Sequence, residues 1–437
     1  MQLTNIKSKI GLATCSLLQV VAPTTQAALT DWKTDAAILY YGENNGRVSA
    51  IEPAIHTGAN INDDNRVDIR LVFDALTGAT PNGAHATSVA QTFSTPSGND
   101  SYTTKPGKTP LDSTFHDTRF AVAADWTISL DRLSNLILGV NVSTEFDYLS
   151  TGVSSTYARD FNNRNTTLTA GLSFNYDTIS PEGDVPTELA AMVTQGAALN
   201  RNGSSDTKTL SDIIIGITQV VNRKTLVQLN YTFGYTDGYQ NDPYKIVTVI
   251  DPATGLPATA SGSAFFDTAS TSNLPYVYEK RPNTRQRNAL FLKGIYHLTE
   301  DIFDISYRYF WDDWGIRSNT LEMKYRYQLG SSYLQPLVRY YTQTAADFYT
   351  HDLSLGSDVN ATTGEVSVNH ASNDYRLAKS VTSTVGLKYG MPVMANSELS
   401  VRGEYIKQNV NNSGIPAGEG TPDLDAVVLQ LNYSLAW

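Results

Sequence analysis

Apolar and polar residues alternate one by one through most of this chain, and that period of two is the strongest constraint on its fold. Successive side chains of an extended strand point to opposite faces, so such a stretch makes a strand with one apolar and one polar face. The clearest case is Thr166 to Thr178, where Leu168, Ala170, Leu172, Phe174 and Tyr176 alternate with Thr169, Gly171, Ser173, Asn175 and Asp177. The same reading places sixteen strands, over 32–41, 47–59, 66–77, 117–130, 135–149, 154–161, 166–178, 208–221, 225–236, 284–298, 302–311, 317–328, 333–344, 374–389, 398–408 and 425–437. Pro53, inside the second, weakens its strand pattern or marks a bulge. Glu188 to Thr194 is read as a helical turn within a long loop.

The connections follow one rule. Every long loop comes after an odd-numbered strand, and every connection after an even-numbered strand has eight residues at most. A soluble sandwich has no reason to sort its loops in this way. A single-chain outer-membrane barrel does, with short periplasmic turns and long extracellular loops. The fold expected is therefore all-β: a transmembrane antiparallel up-and-down β-barrel of about sixteen strands. Tyrosine is abundant, at 25 copies, as aromatic girdles at two membrane interfaces require.

Both ends of the chain agree with this. Lys7 and Lys9 precede an apolar run from Ile10 to Val21, and Thr25-Gln26-Ala27 is a small-residue cleavage site. That is the pattern of a secretory signal peptide over 1–27, leaving a barrel over 28–437. A lipoprotein reading at Cys15 is disfavoured because Thr14 is bulky for the position before it. Cys15 is the sole cysteine, so cleavage leaves no disulfide framework or thiol chemistry. At the other end Val427, Leu429, Leu431, Tyr433, Leu435 and Trp437 share one face. A terminal strand ending on an aromatic residue resembles the signal read by the barrel-insertion machinery, with Tyr433, Leu435 and Trp437 as its apolar positions. Asn432 stands where Gly is more usual.

The net charge of −11 becomes −13 once Lys7 and Lys9 are removed. An acidic chain lacks the basic footprint of nucleic-acid binding. The expected surroundings are outer-membrane lipid and lipopolysaccharide.

If the apolar faces point outward, the opposite faces line a lumen. There the third strand offers Asp68, Arg70 and Asp74; the eleventh Asp304 and Arg308; the twelfth Glu322, Lys324 and Arg326; the thirteenth Arg339; and the fifteenth Arg402 and Glu404. Two readings stay open. These charges form a constriction that selects solutes, or they are paired ladders that stiffen a closed barrel. Sixteen strands leave room for an aqueous channel.

Enzyme motifs are weak. No Ser–His or Asp–His pair is marked out, and no phosphate-binding or dinucleotide fingerprint is present. His85, His116, His351 and His370 fall in long loops. A rim metal site there is weighed against solvated loop histidines, and the latter is preferred, so no metal or cofactor is expected. The stretch NINDDN at 60–65 lacks the Gly and distal Glu of a calcium loop and reads as a polar turn.

Several longer stretches carry a family resemblance. They are EPAIHTGANINDDNRVDIRLVFDALTGATPNGA (52–84), LVQLNYTFGYTDGYQNDPYK (226–245), EKRPNTRQRNAL (279–290), YRYFWDDWGIRSNTLEMKYRY (307–327), QPLVRYYTQTAADFY (335–349) and DYRLAKSVTSTVGLKYG (374–390). Together they resemble a Gram-negative family of outer-membrane β-barrel proteins classed as a domain of unknown function. The resemblance implies a fold and an outer-membrane location, and no chemistry. Asp242, Arg285, Arg287, Asp312, Asp313, Trp314 and Asp347 in these stretches all fall at the long-loop end. They are expected to pack into a rim that fixes the loops, the alternative being a solute-binding vestibule. The function expected is a porin-like channel for passive passage of small hydrophilic solutes. The alternatives are a closed scaffold barrel for periplasmic or surface partners and, less favoured, a barrel enzyme.

Overall fold

In a computed structural model of the chain, sixteen strands close edge to edge into one antiparallel barrel. The structure describes residues 32–44, 47–78, 81–86, 90–94, 101–111, 116–193, 200–258, 263–266, 273–412 and 423–436. The proposed signal peptide and Trp437 lie outside them. The barrel strands are β1 (Trp32–Glu43), β2 (Val48–Asn62), β3 (Asn65–Gly78), β4 (His116–Asp131), β5 (Ser134–Thr144), β6 (Tyr148–Phe161), β7 (Thr166–Ile179) and β8 (Asp206–Asn222). They continue as β9 (Thr225–Gly238), β10 (Thr284–His297), β11 (Ile302–Asp312), β12 (Arg317–Leu329), β13 (Ser332–Gln343), β14 (Ser380–Met394), β15 (Ser397–Val410) and β16 (Leu424–Ala436).

Each strand pairs with its sequence neighbours, and β1 pairs with β16 from Lys33↔Ala436 to Glu43↔Ala426. Closure leaves no edge with unpaired backbone groups, which a hydrocarbon surrounding demands. The outer faces carry the alternating apolar residues. Leu172 is 61% exposed, Val140 58% and Ile215 59%. A closed belt of exposed Leu, Ile and Val is tolerable against lipid and not against water. Aromatic side chains flank the belt. Tyr40, Phe73, Phe120, Tyr176 and Tyr235 are exposed toward the long-loop end, and Tyr157, Phe161, Tyr296 and Tyr327 toward the short-turn end.

The sorting of connections is present in the structure. Turns after even-numbered strands have two to four residues, whereas the loops after β3, β7, β9 and β13 are long. In the turn after β2, Asn62 Oδ1 accepts from Asp64 N at 3.0 Å and Asn65 Nδ2 at 2.8 Å, so NINDDN closes on itself. Pro53 forms no bulge: it pairs with Ile38, and the irregularity of β2 falls at Asn60–Asn62 instead.

The long loops build a cap with its own core. Four short strands, Ala191–Val193, Asn273–Tyr278, Ile246–Ile250 and Asp352–Ser354, pair in that order. Val247, Val249, Val277, Phe266, Leu353 and Val359 pack together behind them, each 3% exposed or less. Ala191–Val193 is thus a strand where a helical turn was expected, because its partner is Asn273–Tyr278, distant in sequence. The fourteenth strand also starts later than its pattern indicates. Tyr375–Leu377 forms a single 3-10 turn capped by Asp374, and β14 begins at Ser380.

Candidate functional site

A cavity of about 640 Å³ lies in the lumen, walled by the barrel strands and by Tyr375, Arg376 and Leu377 of the cap. Its charged lining is arginine-rich. Arg70, Arg119, Arg285, Arg287, Arg308, Arg339 and Arg376 border it, against Asp125, Asp177 and Asp212. Alternation explains the wall residues. Leu290 and Leu292 of β10 are exposed on the outer face, so Arg285 and Arg287, in the opposite phase, turn inward.

Most of these arginines are held by carboxylates, several of them set outside the cavity lining. Arg285 Nε donates to Asp312 Oδ2 at 2.9 Å, and the Asp312 side chain is fully buried while that of Arg285 is 15% exposed. Arg339 Nε donates to Glu322 Oε2 at 2.6 Å. Arg287 pairs with Asp212 at 3.3 Å, and Arg119 pairs with the buried Asp74. Arg70 and Arg308 differ: among the described residues neither makes an ion pair. Arg308 instead has its guanidinium carbon 5.3 Å from the Phe310 ring centroid. The cavity therefore presents guanidinium groups to a solute, with much of the balancing negative charge one layer back.

Nearer the short-turn end the lumen is lined by matched pairs. Asp304 meets Lys293 at 3.1 Å. Glu322 lies between Lys324 and Arg339, each at 2.5 Å. Arg402 meets Glu404 at 3.4 Å, and Asp68 accepts from Arg66 at 2.7 and 2.8 Å while facing His56 at 3.2 Å. Arg326 stacks on Tyr333, 3.6 Å from the ring centroid. Side chains of the Asp304 and Glu322 groups stay 16–36% exposed, so they line this half and do not fill it.

The rim residues divide between wall and packing. Trp314 is 3% exposed, stacks 4.3 Å from the Arg285 guanidinium and donates from Nε1 to Thr284 O at 2.9 Å. Asp313 Oδ1 accepts from Gln286 N at 2.9 Å, and Asp347 N donates to Trp314 O at 2.9 Å. Arg285 and Arg287 face the cavity, while Asp312 is buried behind Arg285.

Above the cavity a balanced network joins two loops. Asp374 Oδ2 accepts from Arg281 Nη2 at 2.9 Å and from Arg376 Nε at 2.7 Å, and Arg376 Nη2 reaches Asp242 Oδ2 at 2.8 Å. Glu279 meets Arg281 at 2.7 Å. Burial alone would raise the Asp374 pKa; Arg376, Lys245 and Arg281 outweigh it and hold the carboxyl far below the usual range. Three cations, Arg281, Arg376 and Lys245, face three carboxylates, so burial is compensated.

Sequence reasoning missed Arg119, Lys293 and Arg376. Arg119 was recoverable, since Phe120 faces outward and its neighbour must face in. Arg376 was not, because only the folded loop carries it to the cavity.

Comparison with known proteins adds the following. No curated protein matches the chain. Among solved structures, a bacterial polysaccharide outer membrane secretin is similar at 8% identity and a TM-score of 0.43, covering 94% of this chain and 98% of that one. Pseudomonas aeruginosa OccK2 (OpdF) in complex with glucuronate is similar at 10% identity and a TM-score of 0.40, covering 93% and 98%. The CymD monoaromatic hydrocarbon channel is similar at 7% identity and a TM-score of 0.39, covering 94% and 89%. Residues 7–435 match the family described as a protein of unknown function, DUF3570. The chain belongs to that family.

Proposed function

We propose that this protein is an outer-membrane channel for passive passage of small hydrophilic solutes, with a preference for anions. The observation that carries the reading is the cavity in a closed sixteen-strand barrel, bordered by seven arginines and three aspartates. Guanidinium groups in a confined, partly desolvated lumen attract anionic permeants and repel cations. Arg308 is the main contributor, having no ion-pair partner among the described residues; Arg70 adds to it, offset in part by Asp125 nearby. The paired ladder below adds little net field, so it leaves passage to size.

In this reading the apolar belt sits in the outer membrane, the long loops face the exterior and contact lipopolysaccharide, and the short turns face the periplasm. The signal peptide and the β16 signal serve export and insertion. The closed-scaffold alternative is favoured by one feature, the cap with its own buried core. Single-channel recording of the folded, heat-modifiable barrel in a planar bilayer separates the two. Steady openings support the channel; silence from folded protein supports the scaffold.

A further inference from the structure

We propose that His85, His351 and Asp352 form a binding site for a divalent transition-metal ion of the zinc class, which clamps the cap. A nitrogen from each imidazole and a carboxylate oxygen of Asp352 lie within 4.8 Å of one another. His351 Nδ1 is 3.1 Å from Asp352 Oδ2, and His85 Nε2 is 3.9 Å from the same oxygen. Donors bound at about 2.0–2.1 Å in a tetrahedral shell stand roughly 3.3 Å apart, so small side-chain shifts close this set on an ion. Two imidazoles and one carboxylate select zinc, copper or nickel over magnesium or calcium, and three protein donors leave a fourth position for water.

His85 is 3% exposed, and its Nε2, the nitrogen that faces Asp352, lies 3.2 Å from His351 O. Ligation through Nε2 takes the place of that single contact.

The surroundings hold the donors in place. His85 N donates to Thr248 Oγ1 at 3.1 Å, which fixes the loop after β3 on the cap strand Ile246–Ile250. Asn373 Nδ2 donates to Gly83 O and to His351 O, both at 2.9 Å, bridging the two loops that supply the histidines. The Asp352 side chain is 28% exposed, which gives an ion a route in. A bound ion would thus join the loops after β3 and β13 against the loop after β9.

The test is calorimetric titration of zinc chloride into the untagged, folded full barrel in detergent, beside His85→Ala, Asp352→Asn and His370→Ala. The expected result is one ion per chain at micromolar concentration, at least tenfold weaker binding in His85→Ala and Asp352→Asn, and no change in His370→Ala. Magnesium and calcium at millimolar concentration should not compete. Asp352→Asn keeps the side-chain shape, so it reports on ligation even if His85→Ala disturbs the cap. No zinc uptake by folded wild-type barrel, or uptake unchanged in Asp352→Asn, would overturn the assignment.

Discussion

Arg376 donates from Nη2 to Oδ2 of Asp242 at 2.8 Å, joining two loops 134 residues apart in the chain. The contact is one side of a buried network whose centre is Asp374, 1% exposed. Removing that carboxylate leaves Arg281 with Glu279 alone and Arg376 with Asp242 alone, so three buried cations face two carboxylates. Asp374→Ala should therefore weaken the cap by about 3–5 kcal/mol, seen as faster hydrogen exchange in the cap strands with the barrel strands unchanged. Because the folded pKa of Asp374 is depressed, its stabilisation is present above the ordinary carboxylate pKa. It is lost only as the pH falls below that range, so cap exchange should stay slow down to pH 4.

Asp147 behaves in the opposite sense. Burial pushes its carboxyl up, the Tyr244 hydroxyl bonded to it at 2.6 Å lowers it in part, and the result is about 6. A carboxyl raised in the folded state contributes stability that is full below its unfolded pKa and is lost as pH rises through the folded one. Protection of the turn between β5 and β6 should therefore fall from pH 4 to pH 6. Hydrogen exchange across that range checks it, and Asp147→Asn should flatten the profile.

Gly315 sits at φ +82°, and a Cβ there would fall 2.2 Å from Asp347 Oδ1. Both the backbone and the side chain of its neighbour oppose substitution. Gly315→Ala should cost about 1 kcal/mol or more, measured as a lower urea midpoint for unfolding.

Leu172 lies near the middle of β7 on the outer face and is 61% exposed. If that face meets hydrocarbon, Leu172→Arg should destabilise the barrel by about 2–4 kcal/mol in lipid vesicles. Ser173→Arg, one residue on and facing the lumen, should cost much less. Equal costs would place the belt elsewhere.

The barrel was legible in the sequence because lipid enforces alternation on every strand and closure enforces their sequence-neighbour pairing. Where local pattern and turn chemistry disagree, the reading slipped. Leu138, Val140, Val142, Phe146 and Tyr148 suggest one strand through 149, yet β5 ends at Thr144 and Glu145 N closes the turn onto Tyr148 O. That turn, Glu145-Phe146-Asp147, has Asp147 alone to announce it. The cap was not legible. Its strands are as short as three residues, and Ala191, Val247 and Leu353 meet only after three loops fold together. For the lumen, residue phase alone points to Arg70, Arg308 and Arg339, which border the cavity. Which of them pair depended on strand register, and that separated Arg308 from Arg339.

An anion-preferring lumen is read by the reversal potential of the folded barrel under a potassium chloride gradient. The potential should take the sign set by chloride and move toward zero in Arg308→Ala and in Arg70→Ala. A potential of the sign set by potassium, or one unmoved by both substitutions, would contradict it.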